Sequence, residues 1–506
     1  MILDEAVTAR EMRAIEMNAE YLGVSKLQLM ESAGRSVAEA VKERFTPKTE
    51  VLMACGLGGN GGDGFVAARH LAGQGYSVTV ILLGRPENIG SDEARVNWEP
   101  LRNMSDSVNI VEIRDSAEIQ PPKAGVIVDA LIGTGVRGAL SSPYREMVQA
   151  INGAEGFKIA VDVPSGLDSD SGEAGGEVVH ADLTLTFHKP KTGMKDDENL
   201  GQLQVCPIGI PPEAEAHTGP GDVYIAHRHR APEAHKGDFG RLLVIGGSET
   251  YSGAPALTAL GAYATGIDLA YVAAPETAAL IIAGFSPSLI TVKLKGSRLA
   301  PRNLEAITSL LDRVDAVAMG PGLGVQEETV EAVGAAIEAV EEHGLPLLLD
   351  ADALKAFSGD KRRLRTGAVL TPHAMEFKIL TGKDVEGTYG ERGKLVRKEA
   401  SKLEATLLLK GSVDIVSDGD AVRFNRTGNP GMTVGGTGDV LSGVVAGYMA
   451  MGVSPFEAAS AGAFINGAAG DAVYAEKGYH MLPSDLIGKI PWVVEESING
   501  RMRRKA

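Results

Sequence analysis

Val51-Leu52-Met53-Ala54-Cys55-Gly56-Leu57-Gly58-Gly59-Asn60-Gly61-Gly62-Asp63-Gly64 decides how the first half of the chain is read. Five apolar residues in a row, stopped at once by glycine, fit a parallel strand buried on both faces. Residues 65–73 then have helical spacing and residues 77–83 form the next apolar run, so the unit reads β-α-β with a glycine-rich first turn. Upstream, residues 9–19 and a second stretch from Leu27 to about position 45 are predicted helices. Gly56-x-Gly58-x-x-Gly61 satisfies the dinucleotide fingerprint in form. The second strand, however, ends in Gly84-Arg85 where a ribose-binding acid is expected, and the glycine run is too long for that simple pattern. An arginine there would suit a 2′-phosphate, so the point is not decisive. A turn holding both Asn60 and Asp63 offers polar side chains as well as backbone donors.

Further strands are predicted at 125–129, leading into Gly133-Thr134-Gly135-Val136-Arg137-Gly138, at 158–162, leading into Val163-Pro164-Ser165-Gly166-Leu167-Asp168, and at 183–187. Parallel strands share the edge at which their carboxyl ends stop, so Asn60, Asp129, Asp162 and Ser165 are expected to converge. An amide, two carboxylates and a hydroxyl have three readings: a hard-cation site, an acid–base pair, or caps on the helices that follow. Capping explains poorly why two consecutive strands end in Asp beside glycine-rich loops.

Residues 207–236 turn rich in Pro, Gly and His, which marks a domain boundary. His227, His229 and His235 alternate with Arg228 and Arg230 and read as solvated loop rather than a metal site. We place the domains at 1–222 and 223–506. The second is again α/β: strands at 242–245, 315–319, 346–349, 369–371 and 406–409 run into Gly246-Gly247-Ser248, Gly320-Pro321-Gly322-Leu323-Gly324, Asp350-Ala351-Asp352, Pro372-His373 and Lys410-Gly411-Ser412-Val413-Asp414.

The series ends at Gly435-Gly436-Thr437-Gly438-Asp439, followed by a helix predicted to begin at Asp439. Three glycines and a helix N-terminus gather backbone N–H groups into an anion hole, and the carboxylate at its edge is suited to take a proton from a hydroxyl attacking phosphate. Asp439 could instead be a plain N-cap, but a cap does not need three flanking glycines. Lys410 at a strand end could meet a nucleotide phosphate. His373 either caps its helix or touches substrate. A metal held by His373 with Asp350 or Asp352 is the alternative to Mg²⁺ carried by the nucleotide.

At 506 residues, 44% apolar, 23% charged and with 63 glycines, the chain is long enough for two large domains. Its 49 basic and 66 acidic residues give a net charge of −17, which provides no footprint for nucleic acid or an anionic membrane. Two cysteines, Cys55 and Cys206, exclude a disulfide framework. The start, Met1-Ile2-Leu3-Asp4-Glu5, has no basic region before an apolar run, so we expect a cytoplasmic protein. Residues 440–456 are uncharged but contain Gly443, Gly447 and Pro455 and fall short of the ~20 residues of a membrane span, so they read as a buried, closely packed helix.

The motif order resembles the bifunctional NAD(P)H-hydrate repair enzymes. In the first half it rests on Leu29-Met30-Glu31-x-Ala33-Gly34, Asn60-Gly61-Gly62-Asp63-Gly64-Phe65, Asp129-Ala130-Leu131-Ile132-Gly133-Thr134-Gly135, Val161 to Asp168, and Phe187-x-x-Pro190-Lys191-x-Gly193. In the second it rests on Lys236-Gly237-Asp238-x-Gly240, Gly253-Ala254-Pro255, Gly320 to Gly324, Asp350-Ala351-Asp352-Ala353-Leu354, Leu370-Thr371-Pro372-His373, and Thr427 to Met432 running into Gly435 to Asp439.

The resemblance implies a Rossmann-like three-layer epimerase domain followed by a ribokinase-like α/β dehydratase domain. It further implies K⁺ at Asn60, Asp129 and Ser165, and the hydrate against Gly59, Asn60, Gly61, Gly62, Asp63, Gly133, Thr134, Gly135, Val136, Arg137, Gly138, Ala139 and Asp162. In the second domain it puts the hydrate at Ala254, Gly322, His373 and Asp439. ADP or ATP, with Mg²⁺, would lie at Lys410, Gly411, Ser412, Val413, Asp414 and Gly438. Asp162 and Asp439 would be the catalytic residues, NADHX and NADPHX the substrates, and a homo-oligomer the assembly; fusion of both domains in one chain favours ADP. Ser32, Lys355 and Met375 depart from the usual Asn, Asn and Gly. The competing readings are a ribokinase-like small-molecule kinase, and a first half that binds without catalysing.

Overall fold

The computed structural model describes residues 6–195, 197–358, 363–365 and 367–504; the reading of Met1 to Glu5 falls outside them. The chain forms two compact units, Met1–Pro211 and Pro212–Ala506. Residues 212–222, placed by sequence with the first half, belong to the second. There the Thr218 N–H donates to Phe424 O at 3.0 Å, and its hydroxyl lies 3.0 Å from Asn425 Oδ1. A Pro/Gly-rich run marks that a boundary is near, but only such tertiary pairing fixes which side a residue joins.

In the first unit the strands are β1 (Val51–Cys55), β2 (Val78–Leu83), β3 (Val108–Ile113), β4 (Val126–Ala130), β5 (Phe157–Val161), β6 (Leu183–Phe187) and β7 (Gln202–Cys206). They form one parallel sheet in the order β3-β2-β1-β4-β5-β6-β7. Alternate residues point to opposite faces. Val51, Met53 and Cys55 join one core with Phe65, Val66 and Leu71, while Leu52 and Ala54 join another with Met147, Val148 and Ile151. That makes three layers. The strand order reverses direction between β1 and β4, and the crevice beyond their carboxyl ends is where such sheets bind ligands.

Helices α1 (Ala9–Tyr21), α2 (Lys26–Arg44) and α3 (Gly59–Ala72) precede and follow β1. α3 starts six residues earlier than the sequence suggested, because glycine-rich turns look like loops when only propensity is weighed. The glycines are there for space: a Cβ at Gly61 would sit 2.0 Å from Gly56 O, and one at Gly56 2.0 Å from Leu131 O. Asn60 and Asp63 therefore lie about one turn apart at the start of a helix rather than on a loop.

The second unit carries β8 (Arg241–Ile245), β9 (Leu269–Pro275), β10 (Ile290–Leu294), β11 (Ala316–Met319), β12 (Leu347–Leu349), β13 (Ala368–Leu370), β14 (Thr406–Leu409), β15 (Asp414–Ser417) and β16 (Val422–Asn425). The sheet order is β10-β9-β8-β11-β12-β13-β14-β15-β16, parallel as far as β14 and antiparallel in the last two pairings. The Thr437–Ala450 helix is buried throughout from Val440 and packs on the Gly253–Thr265 helix. Glycine permits the approach, since a Cβ at Gly443 would lie 2.0 Å from Thr258 O. Among the described residues no helix is long and apolar enough to cross a membrane.

Candidate active sites

Strands β1, β4, β5 and β6 of the first unit deliver its polar cluster. Asp129, fully buried near the end of β4, accepts from Ser165 N at 2.8 Å, from Ser165 Oγ at 2.6 Å and from Leu131 N at 3.2 Å. Burial nevertheless pushes its pKa up to about 6, the Ser165 and Leu131 bonds only partly offsetting the loss of water. Asn60 faces the same region: a Cβ at Gly133 would lie 3.1 Å from Asn60 Oδ1 and 3.6 Å from Asp162 Oδ2. Gly133 is thus where the two side chains converge. Among the described residues, Asn60 Nδ2 is buried without a partner.

Asp162 is held unusually. It follows β5 with φ +63°, and the Val163 N–H donates across it to Val161 O at 2.8 Å. His188, after the neighbouring β6, repeats the arrangement with φ +62° and Lys189 N donating to Phe187 O at 2.7 Å. Both are three-residue turns of the strained positive-φ kind. Asp162 Oδ1 accepts from Thr186 Oγ1 at 3.2 Å, from Phe187 N at 3.3 Å and from the ammonium of Lys191.

Two further carboxyls interact electrostatically with this pair. Burial, followed by the charge of Asp162, raises the pKa of Glu16 on α1. Burial, then Asp162 and Glu16, raises that of Asp63 well above the usual carboxylate range, against the pull of Lys191. Neither Glu16 nor the role of Lys191 was read from the sequence. The available signal was a carboxylate set between the buried Ile15 and Met17, on a helix whose apolar face needs no charge. Arg137, expected on the substrate, is held by Asp168 at 3.0 Å and Asp170 at 2.9 Å; Val136 beside it is buried.

In the second unit the helix after the glycines begins at Thr437, not Asp439, so Asp439 lies in the first turn and is not the cap. Gly436 takes the cap position with φ +105°, and the Thr437 hydroxyl bonds back to Met432 O at 2.8 Å, closing the turn. Burial, then the charge of Asp350, raises the Asp439 pKa to about 7, and Lys410 lowers it. Lys410 follows β14, and its Nζ lies 3.5 Å from where a Cβ of Gly438 would stand. That ammonium also donates to Asp350 Oδ1 at 2.8 Å, while Ser442 Oγ donates to Asp350 Oδ2 at 2.8 Å. A cation, a carboxyl near neutrality and a helix N-terminus thus share one edge of the sheet.

The other expected contacts gather partly. Gly322 and Ala254 are neighbours, a Cβ at Gly322 falling 3.7 Å from Ala254 Cβ. One turn on from Ala254, Leu257 packs against Gly436, where an added Cβ would be 2.8 Å from Leu257 Cδ1. His373 caps the Ala374–Thr381 helix, its Nδ1 accepting from Met375 N at 3.1 Å and Glu376 N at 3.3 Å, with the ring still half exposed. Residues 410–414 form a turn in which Gly411 N donates to Asp414 Oδ1 at 3.0 Å, leaving Gly411 and Ser412 exposed. Among the described residues no three His, Cys, Asp or Glu side chains group as a metal site.

Comparison with known proteins divides the chain in the same way. Residues 242–492 match the family model described as NAD(P)H-hydrate dehydratase, and residues 26–193 the model described as YjeF-related protein N-terminus. The chain is 46% identical to the bifunctional NAD(P)H-hydrate repair enzyme Nnr of Hyperthermus butylicus, covering 99% of this chain and 94% of that one. It is 46% identical to the enzyme of the same name from Pyrobaculum aerophilum, covering 97% and 98%. Among solved structures, a ribokinase-like superfamily protein from Enterococcus faecalis aligns with a TM-score of 0.51 at 24% identity, covering 56% of this chain and 96% of that one, a likeness of fold alone.

Proposed function

This chain belongs to the bifunctional NAD(P)H-hydrate repair enzymes, and on that premise we propose how its two sites divide the work. The protein is an enzyme with two activities: the first unit interconverts the R and S hydrates of NADH and NADPH, and the second dehydrates the S form at the expense of ADP or ATP.

The hydrate carries a hydroxyl on ring carbon 6, next to the ring nitrogen. In the first unit the C6–O bond breaks with its electron pair on oxygen, which takes a proton and leaves as water. The nitrogen lone pair forms C6=N⁺, and water returning to the other face releases the proton again. Asp162 lies where the expected hydrate contacts converge, with Gly133 beside it and the Asp63 and Glu16 carboxyls within electrostatic reach. The raised Asp63 pKa suits it to hold a proton more readily than an ordinary carboxyl.

Asn60, Asp129 and Ser165 offer three hard oxygen donors with one negative charge, and the Asn60 carboxamide oxygen, the atom a cation would use, lies beside Gly133, so the donor set suits K⁺. A bound K⁺ would supply the positive charge that an ionised, buried Asp129 lacks.

In the second unit Asp439 removes the proton from the C6 hydroxyl, whose oxygen then attacks the terminal phosphoryl group. The bond to the nucleotide breaks, AMP or ADP departs, and Lys410 with the N–H groups from Gly436 to Gly438 meets the charge on the transferred group. Inorganic phosphate then leaves with the C6–O electrons as the nitrogen lone pair forms C6=N⁺, and loss of a C5 proton restores the ring double bond. Mg²⁺ enters with the nucleotide, and ADP is the preferred donor. Localisation in the cytoplasm belongs to the same reading.

The observation that carries the reading is the placement of Asp439, a carboxyl poised near neutrality, one helical turn inside an N-terminus that Lys410 faces. The test supplies separated S and R hydrates of NADH with ADP or ATP, Mg²⁺ and K⁺, and follows dihydronicotinamide absorbance and phosphate. S recovers with phosphate released in step, and R recovers through the same protein. A stable phosphoester in place of phosphate would establish a small-molecule kinase instead, and R returning only at its spontaneous rate would leave the first unit without catalysis.

A further inference from the structure

Lys191 is 1% exposed, one of the largest fully buried side chains in the protein. A lysine so placed is costly unless each ammonium proton finds an acceptor. Here all three do: Asp162 Oδ1, Thr186 Oγ1 at 3.0 Å and Phe187 O at 3.4 Å. The last two acceptors belong to β6, and the route to them runs through the positive-φ turn at His188. That turn folds residues 188–190 back, so that Lys191 comes to rest against Asp162 on the neighbouring strand end.

The two oxygens of Asp162 are therefore unlike. Oδ1 takes three donors, from Lys191, Thr186 and Phe187, whereas Oδ2 has no hydrogen-bond donor among the described residues and faces Gly133 and Asn60. The two matched turns at Asp162 and His188 serve this asymmetry. One swings the carboxylate out of the strand direction and the other brings the cation under it. Backbone strain kept at adjacent strand ends is characteristic of sites where orientation matters more than stability.

We propose that Lys191 is the positioning residue of the epimerase site: it captures Oδ1 of Asp162 so that Oδ2 alone, as a fixed anion, is presented to the ring of the hydrate. This deepens the reading of the first unit given above and rests on it. Asp162 then opposes the positive charge that appears on the ring nitrogen as the C6–O bond breaks. The proton moves on the side of Asp63 and Glu16, the two carboxyls that lie within electrostatic reach of Asp162.

The test uses the full-length protein, Lys191→Met and Lys191→Arg, with recovery of the R hydrate reporting the first unit and recovery of the S hydrate the second. Lys191→Met lowers kcat for R-hydrate recovery about 100-fold, the range seen when one preorganised charge partner is lost, with KM changed less than about threefold. Lys191→Arg restores at least about a tenth of the wild-type kcat, because guanidinium still pairs with Oδ1. S-hydrate recovery stays at the wild-type rate in both.

A purely structural lysine would give a loss that Arg does not rescue, or one falling on KM. Either result overturns the proposal, as does full R recovery in Lys191→Met. Should Lys191→Met fail to fold, seen in a Trp492→Phe background as loss of the buried Trp98 emission, Thr186→Val decides. It removes one Oδ1 donor and one Lys191 acceptor and is expected to lower kcat about tenfold at constant KM; an unchanged kcat overturns the proposal. If wild-type protein leaves the R hydrate at its spontaneous rate, it is the epimerase reading that fails.

Discussion

Lys410 and Asp350 form an ion pair of 2.8 Å behind the anion hole, with Asp350 only 2% exposed and Lys410 turned toward Gly438. Asp350 fixes one end of the ammonium and Ser442 fixes Asp350, so in the mechanism proposed above the lysine would meet the phosphoryl group already oriented. Lys410→Met is expected to lower kcat for S-hydrate dehydration by about 100- to 1,000-fold, the cost of removing one preorganised donor to developing charge. Asp350→Asn strands a buried ammonium and should destabilise the second unit by about 3 kcal/mol or more. Steady-state rates and denaturant melts check the two effects.

The carboxyl of Asp439 must be ionised to act as base. Because its pKa in the free protein lies at about 7, kcat/KM for dehydration rises with pH up to about 7 and levels above it. Burial sets most of that value, the Asp350 charge adds to it, and Lys410 opposes it. Asp350→Asn therefore moves the acid limb of the profile to lower pH and Lys410→Met moves it higher. A limb that stays in place in both variants would mean that another group supplies the base.

Gly443 is where the Thr437–Ala450 helix meets the Gly253–Thr265 helix, and an added methyl would stand 2.0 Å from Thr258 O and 2.8 Å from Thr258 C. Backbone cannot yield as a side-chain tip does. Gly443→Ala should cost about 1–3 kcal/mol in the second unit, and because that helix carries Asp439, dehydration should fall with it. R-to-S conversion, read by direct separation of the two hydrates, stays at the wild-type rate.

Much of this was legible in the sequence where the physics is local. Apolar runs such as Val51–Cys55 and Thr406–Leu409 read as buried strands and are so, although the second pairs parallel on one side and antiparallel on the other. Edge strands were not read: in β3 Asn109 and Glu112 interrupt the pattern, because one side faces water. The glycine runs announced close approach but hid the helices they begin, at Gly59 and at Thr437, since propensity counts against glycine exactly where contact requires it. At the sites, strand ends pointed to Asp129 and Asp162, and the glycine run at 435–438 to Asp439. Glu16 stayed hidden, because its meeting with Asp162 is fixed by how α1 packs and not by spacing along the chain.

Asp129 supplies a final test, through ion binding. Its folded-state pKa of about 6 stands above the ordinary value of 3.8, so folding favours the protonated carboxyl. Stability from this group is thus greatest at low pH and declines as pH rises from about 4 to about 6, by roughly 3 kcal/mol at 1.36 kcal/mol per unit. A cation held by Asn60, Asp129 and Ser165 would offset that loss where the carboxylate is charged. Trp98, buried against Phe65, reports the first unit once Trp492, the other tryptophan, is replaced by Phe. In that background, exchanging tetramethylammonium for K⁺ at constant ionic strength should raise the melting temperature of the first unit at pH 8 and barely change it at pH 5. Asp129→Asn should abolish the difference, because the amide has no charge for the ion to balance. Equal gains at both pH values, or a gain that survives Asp129→Asn, would place the ion elsewhere.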